Sequence, residues 1–313
     1  MADVTASGFP GADPADTTRP SLHRQPIRPG RRSAGRCRSM RSPWRIGALG
    51  AAAVIIALLG AACSAAPAAA PPAQAPNLNA IVQHGTVRVC STGDYRPFTY
   101  RDPQGQWSGI DIDMAQDMAK RLGVTLDVVQ TTWGTMMKDL GTRCDMAMGG
   151  ITVTLDRAQH ALYSAPYLRD GKAAIVRCAD SSKYRTLADI DRPGVRVVVN
   201  PDGTNADFDK ANIHHATIEN YPDNNTIFGQ VIANKADAMF TDASEIRWET
   251  KANPQLCGES IDHPFTFEQK AYLIPQSDPA LQQWVDQWLN IAQNDGTYAA
   301  ISQKWTGQVI SAT

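Results

Sequence analysis

Arg157 closes the run GGITVTLDR (149–157), after a strand-like segment and a turn rich in Gly and Thr. A guanidinium grips a carboxylate through two parallel hydrogen bonds, so this position suits an anion. Thr204 and Asn205 follow Gly203 where a helix should begin, and the free N–H groups there also favour an anion. Asp242 ends the run KADAMFTD (235–242), and Trp133 sits at a strand-to-helix turn. Other chemistries lack their parts. Ser164 and Ser244 have no His nearby and no nucleophile elbow, and His160, His214 and His215 read as solvent-exposed. There is no P-loop and no dinucleotide fingerprint, and the cysteines match no zinc spacing. The residues point to carboxylate binding, with no metal and no cofactor.

These side chains need a frame. From about residue 80 the chain alternates strand and helix signals. Strands are predicted at 86–91, 125–130, 145–150, 173–178, 194–200, 216–221, 236–242 and 270–276. Helices are predicted at 109–123, 133–142, 204–213, 225–235 and 278–296, with one more at the end. Met136, Met137, Met146 and Met148 read as core. Such alternation predicts open α/β sheets. Two similar units, the second inserted in the first, give a two-lobed protein: 80–176 with 268–313 as lobe 1, and 177–267 as lobe 2. Crossings near 175–180 and 262–270 would form a hinge. Ligands of open α/β sheets bind at the carboxyl ends of the strands, which places the site in the interlobe cleft. A carboxylate held by Arg157 from one lobe and by Thr204 and Asn205 from the other would bridge the lobes and drive closure.

The first 62 residues differ from the rest. They carry nine Arg, no Lys and three acids, out of 30 basic and 31 acidic residues in all, so the remainder is acidic by seven. An acidic remainder argues against nucleic-acid binding. Residues 46–62 are 17 uncharged residues after Arg41 and Arg45, short for a membrane span and suited to an export signal. The following Cys63 resembles the lipidated Cys of a bacterial lipobox, though Gly60 stands where Leu is usual; cleavage without lipid and a retained anchor are the alternatives. Met40 reads as the true start, with 1–39 mis-assigned or disordered. Residues 63–79 form an Ala/Pro tether that would hold an exported domain off a membrane. An oxidising compartment permits disulfides. Cys178 and Cys257 share a predicted lobe and are expected to pair, whereas Cys90 and Cys144 are read either as a pair or as two buried thiols.

The runs GDYRPF (93–98), GIDIDMAQDMAKRLG (109–123), GGITVTLDR, NPDGTN (200–205), KADAMFTD and KAYLIP (270–275) together resemble the extracytoplasmic solute-binding proteins of amino-acid transporters. The resemblance implies a periplasmic-binding-protein-like type II fold. In that family the Arg at 157 holds the ligand carboxylate, with help around Gly150, Thr152 and Thr154, and Thr204 and Asn205 hold it from the second lobe. Asp242 would pair with a ligand ammonium. Asp94 and Tyr95 would contact its distal part, between walls from Phe98 and Trp133. TGDYRPF, APYLRDGK (165–172), YPDNNTIF (221–228) and VDQWLNIA (285–292) resemble one branch more closely, the periplasmic cyclohexadienyl dehydratases, which convert prephenate or arogenate. That branch implies a Glu directly after Gly-Thr-Asn as the acid. Ala206 stands there, and Asp207, one place on, points about 100° away on a helix. Gly149 and Thr154 also depart from the branch. The residues therefore lead to an exported binding protein that passes a small carboxylate, an amino acid or analogue, to an ABC permease. The alternative is a prephenate/arogenate dehydratase, which needs no such partner.

Overall fold

The computed structural model describes residues 77–311; the predicted signal, Met40, Cys37, Cys63 and the tether up to residue 76 lie outside them, while Asn77, Leu78 and Asn79, read as the tether's end, cap and open a helix. The chain opens with α1 (Leu78–His84), β1 (Thr86–Ser91) and a meander, β2 (Asp94–Tyr95), β3 (Thr99–Arg101) and β4 (Trp107–Ser108). It continues through α2 (Ile110–Leu122), β5 (Thr125–Gln130), α3 (Met136–Asp139), β6 (Met146–Ala147), α4 (Leu155–Ala158), β7 (Ala161–Tyr163) and β8 (Leu168–Asp170). The inserted lobe holds β9 (Lys172–Arg177), α5 (Leu187–Ile190), β10 (Arg196–Val199), α6 (Gly203–Asn212), β11 (Thr217–Asn220), α7 (Phe228–Ile232), β12 (Ala238–Asp242), α8 (Ala243–Ala252) and β13 (Leu256–Glu259). The chain returns through β14 (Glu268–Lys270), β15 (Leu273–Pro275), α9 (Pro279–Asn294) and α10 (Thr297–Thr306).

Two mixed five-stranded sheets result, ordered β5-β1-β6-β15-β7 and β11-β10-β12-β9-β13. The parallel pairs need helical crossovers, and these helices cover the sheets. The two chain crossings run beside each other as the antiparallel pair β8–β14, with Glu268 opposite Asp170 and Lys270 opposite Leu168. At the step from β8 to β9, a Cβ on Gly171 would lie 2.1 Å from the Thr266 carbonyl oxygen, so only glycine lets the crossings pass this closely.

The structure departs from the sequence reading at these crossings. Segment 173–176, read into lobe 1, lies in β9 of the second sheet, paired with β12 and β13. A fully buried strand reads as an apolar run whichever sheet holds it, so periodicity cannot assign it. The strand read at 270–276 is two pieces: Lys270 belongs to the crossing, and Leu273–Pro275 to the first sheet.

Local rules account for the helix that anchors the first lobe. Asp278 caps α9 by accepting from Leu281 N, and Pro279 takes the first turn. Its Leu281, Val285, Trp288, Leu289 and Ala292 are buried, each large one contributing about 1.5–3 kcal/mol. Met136, Met146 and Met148 are core. Disulfides Cys90–Cys144 and Cys178–Cys257 brace one lobe each. Replacing Cys90 and Cys144 together by Ala should lower stability by about 2–4 kcal/mol in urea unfolding. A loss below about 0.5 kcal/mol would show that this bridge does not stabilise the fold.

Candidate functional site

A small cavity of about 30 Å³ lies where the lobes meet, lined from the first by Tyr95, Trp133, Gly150, Thr152 and Arg157 and from the second by Asn200, Asp202, Gly203, Thr204, Asn205, Asn224 and Asp242. It has room for about one or two waters, so an organic ligand enters only if the lobes part. Side chains already bridge the gap: Tyr95 OH donates to Asp242 Oδ2, Asn224 Nδ2 to the Asp94 carbonyl at 2.8 Å, and Arg96 Nη1 to Asn225 Oδ1 at 3.2 Å.

Arg157 is set by its own turn. Thr154 caps the short α4 by accepting from Arg157 N, and Arg157 Nη1 donates to the Thr152 carbonyl at 3.1 Å. The guanidinium is half-buried at the cavity wall. From the other lobe, α6 presents its first turn, Gly203, Thr204 and Asn205. The two expected carboxylate grips therefore face one cavity.

Five expected residues play other parts. The Thr154 hydroxyl serves the cap and does not line the cavity. Gly150 lines it, but its N–H donates to the buried Asp111 Oδ2 at 2.6 Å, away from a ligand. The Thr152 hydroxyl is taken on both sides: it accepts from Lys270 Nζ at 2.7 Å and donates to Glu268 Oε2 at 3.1 Å. Phe98 is fully buried and stacks at 5.4 Å on Tyr95, so it supports that wall without forming it. Asp94 borders a neighbouring surface hollow. Tyr95 and Trp133 do form the aromatic wall, edge to face at 5.6 Å. Asp207, the substitute acid considered from sequence, is exposed and outside the cavity lining.

The largest correction concerns Asp242. It lines the cavity, but its ammonium partners are internal: Lys172 Nζ lies 2.8 Å from Oδ1 and Lys270 Nζ 2.5 Å from Oδ2. Lys172 also donates to Thr204 Oγ1 at 3.0 Å. Glu268 stands 3.5 Å and 3.7 Å from the two ammonium nitrogens. Burial alone would push Asp242 up; the two ammonium groups outweigh it and hold the carboxyl below the usual carboxylate range. Burial likewise opposes the charge of Lys270, and Asp242, Asp170 and Glu268 overcome it.

Burial raises other carboxyls as well. Burial raises Glu245 well above an ordinary Glu, and the Glu249, Asp242 and Asp94 carboxylates add to the effect. Its Oε2 accepts from Thr241 Oγ1 at 2.5 Å, and Thr241 accepts from Asn205 Nδ2 at 3.0 Å, so one hydroxyl separates Glu245 from a cavity-lining amide. Burial pushes Asp170 up to about 6, helped by Asp242. Burial pushes Asp111 to about 6 as well, against its bonds from Tyr167, Gly150 and Tyr272. Burial raises Asp209, on α6, to about 8 against the pull of Lys172. Sequence reading missed Asn200, Asp202 and Asn224 on the wall and Lys172, Lys270 and Glu245 behind it. A signal existed for the lysines: each opens a buried apolar run, in GKAAIV and KAYLIP.

Residues 87–308 match the sequence profile of the bacterial extracellular solute-binding proteins, family 3. The chain is 46% identical over 234 residues to the cyclohexadienyl dehydratase of Pseudomonas aeruginosa, covering 74% of this chain and 87% of that one. It is 26% identical to the L-cystine-binding protein TcyJ of Escherichia coli, over 74% of this chain and 86% of that one. Among solved structures, the ancestral amino acid-binding protein AncCDT-1, a precursor of cyclohexadienyl dehydratase, superposes with a TM-score of 0.69 at 33% identity, over 73% and 99% of the two chains.

Asp209 offers a pH test. Its carboxyl titrates near 8 in the folded chain and near 4 when unfolded. The folded state thus binds the extra proton between those values, and stability falls as pH rises from about 4 to about 8. Asp209→Asn removes that slope, so the variant should gain on the wild type by up to about 1.4 kcal/mol per pH unit across the window. Parallel urea midpoints across that window would refute the assignment.

Proposed function

The chain belongs to the bacterial extracellular solute-binding proteins of family 3, and from that premise we propose that it is an extracytoplasmic cyclohexadienyl dehydratase acting on prephenate or arogenate. The extracytoplasmic setting agrees with its two disulfides. The reading leans on the 46% identity with a dehydratase across most of both chains. The observation that carries it is Glu245, a buried carboxyl that burial raises well above the ordinary Glu range, one hydroxyl away from the cavity-lining Asn205. An acid at 206 is then unnecessary, because α8 supplies one from the other side of Asn205.

The chemistry asks for an anion grip and a proton. Arg157 and the first turn of α6 bind a carboxylate from opposite lobes and so close the cleft on the substrate. The ring hydroxyl must take a proton to leave as water when its C–O bond breaks, and Glu245 is the proposed source; it lies outside the closed cavity lining, one hydroxyl behind Asn205, so the substrate-bound cleft has to bring it within reach. The bond from the ring to its carboxylate breaks in turn, carbon dioxide departs, and that electron pair completes the aromatic ring. Tyr95 and Trp133 flank the ring. Closure of the lobes over the substrate excludes bulk water from the reacting groups.

A second reading, capture of an amino acid for an ABC permease, has the departures from the dehydratase branch in its favour: Gly149, Thr154 and above all Ala206, which stands where the sequence resemblance puts an acid. Turnover separates the two. Purified protein should convert prephenate to phenylpyruvate, and Glu245→Gln should lower kcat by about 10²–10⁴-fold with little change in KM. Ala206→Glu should add nothing. An inactive wild type that gains activity with Ala206→Glu would replace the dehydratase with the binding protein.

A further inference from the structure

Asp94, Tyr95 and Arg96 meet the second lobe one after another, and the last of them does so outside the cavity lining. We propose that Arg96 is a clasp between the lobes: it sets how often the cleft opens, and so how fast any ligand enters or leaves, without touching that ligand.

Arg96 lies in the turn between β2 and β3 of the first lobe. Its guanidinium carbon sits 3.4 Å from the centre of the Tyr100 ring, in the same meander, and 5.6 Å from the centre of the Trp248 ring, on α8 of the second lobe. A planar cation over two aromatic rings is attracted by both. Its Nη1 also donates to Asn225 Oδ1 at 3.2 Å, again across the lobes. Beside Trp248 in the chain stands the buried Glu249. Burial pushes that carboxyl up, and the Arg96 charge pulls it back down.

These contacts divide by lobe, which gives the clasp its effect. Tyr100 belongs to the same lobe as Arg96, so that stack survives opening and holds the guanidinium ready. Trp248, Asn225 and Glu249 belong to the other lobe, so their share is lost when the lobes part. Only contacts that differ between two states shift the balance between them. None of Arg96, Tyr100, Asn225, Trp248 and Glu249 lines the cavity. A ligand therefore meets the same walls with or without the clasp, and the role holds for a dehydratase and for a binding protein alike.

Hydrogen exchange of the full, ligand-free chain reads opening directly, because amides on the cavity walls exchange when the lobes part. Arg96→Met keeps an alkyl stem and removes the charge. In this variant, peptides spanning 149–154 and 200–206, one on each wall, should exchange about three- to tenfold faster than in the wild type, the scale of a lost cation–π contact and hydrogen bond. Peptides from α2 and β10, in the cores of the two lobes, should keep their rates. Arg96→Lys keeps a cation without the planar fork and should fall between the two chains. Trp248→Leu should match Arg96→Met from the opposite lobe. Wall peptides that change less than about twofold in Arg96→Met overturn the proposal. So does a rise that extends to α2 and β10, which would mark Arg96 as a support of the fold.

Discussion

One buried ionic contact organises this molecule: Asp242 between the ammonium groups of Lys172 and Lys270. Each partner comes from a different stretch of the same narrow region. Asp242 ends a strand of the second sheet, Lys172 begins its antiparallel neighbour, and Lys270 lies in the crossing that returns the chain to the first lobe. The lysines carry the contact outward to Thr204 on one wall and Thr152 on the other. Charges removed from water need this complete set of partners, because any one left alone would be costly. The cavity, the hinge and the lobe contact therefore share a single polar core.

Much of this was legible in the sequence. Alternating apolar runs placed β1 and β5, and helical spacing placed α2 within 109–123 and α9 within 278–296. Arg157 and the Thr204 turn could be paired before any geometry was known, because a guanidinium and a helix start both seek anions. What stayed hidden was the partner of each charge. Asp242 looked like an ammonium site because nothing local reveals two lysines from distant segments. Thr152 and Thr154 read as ligand hydroxyls, though one belongs to the lysine network and the other to a cap. Segment 173–176 carried no mark of which sheet it would join.

Glu245 illustrates the same limit. Three places after a strand-ending Asp, it looks like ordinary first-turn chemistry at a helix start, where the dipole favours a charged carboxylate. In the fold it is buried beside other carboxylates, and burial prevails over the dipole. How readily a carboxyl gives up its proton depends on what surrounds it, which only the tertiary structure assembles.

The paired crossings β8 and β14 bear on how the lobes move. A single linker would leave one lobe free to swivel and twist. Two strands hydrogen-bonded side by side remove most of that freedom and leave rotation about one axis. Opening and closing then reduce to a single angular coordinate. The lysine of one crossing is bonded to Thr152 of the cavity wall, so that angle is mechanically geared to the wall a ligand meets.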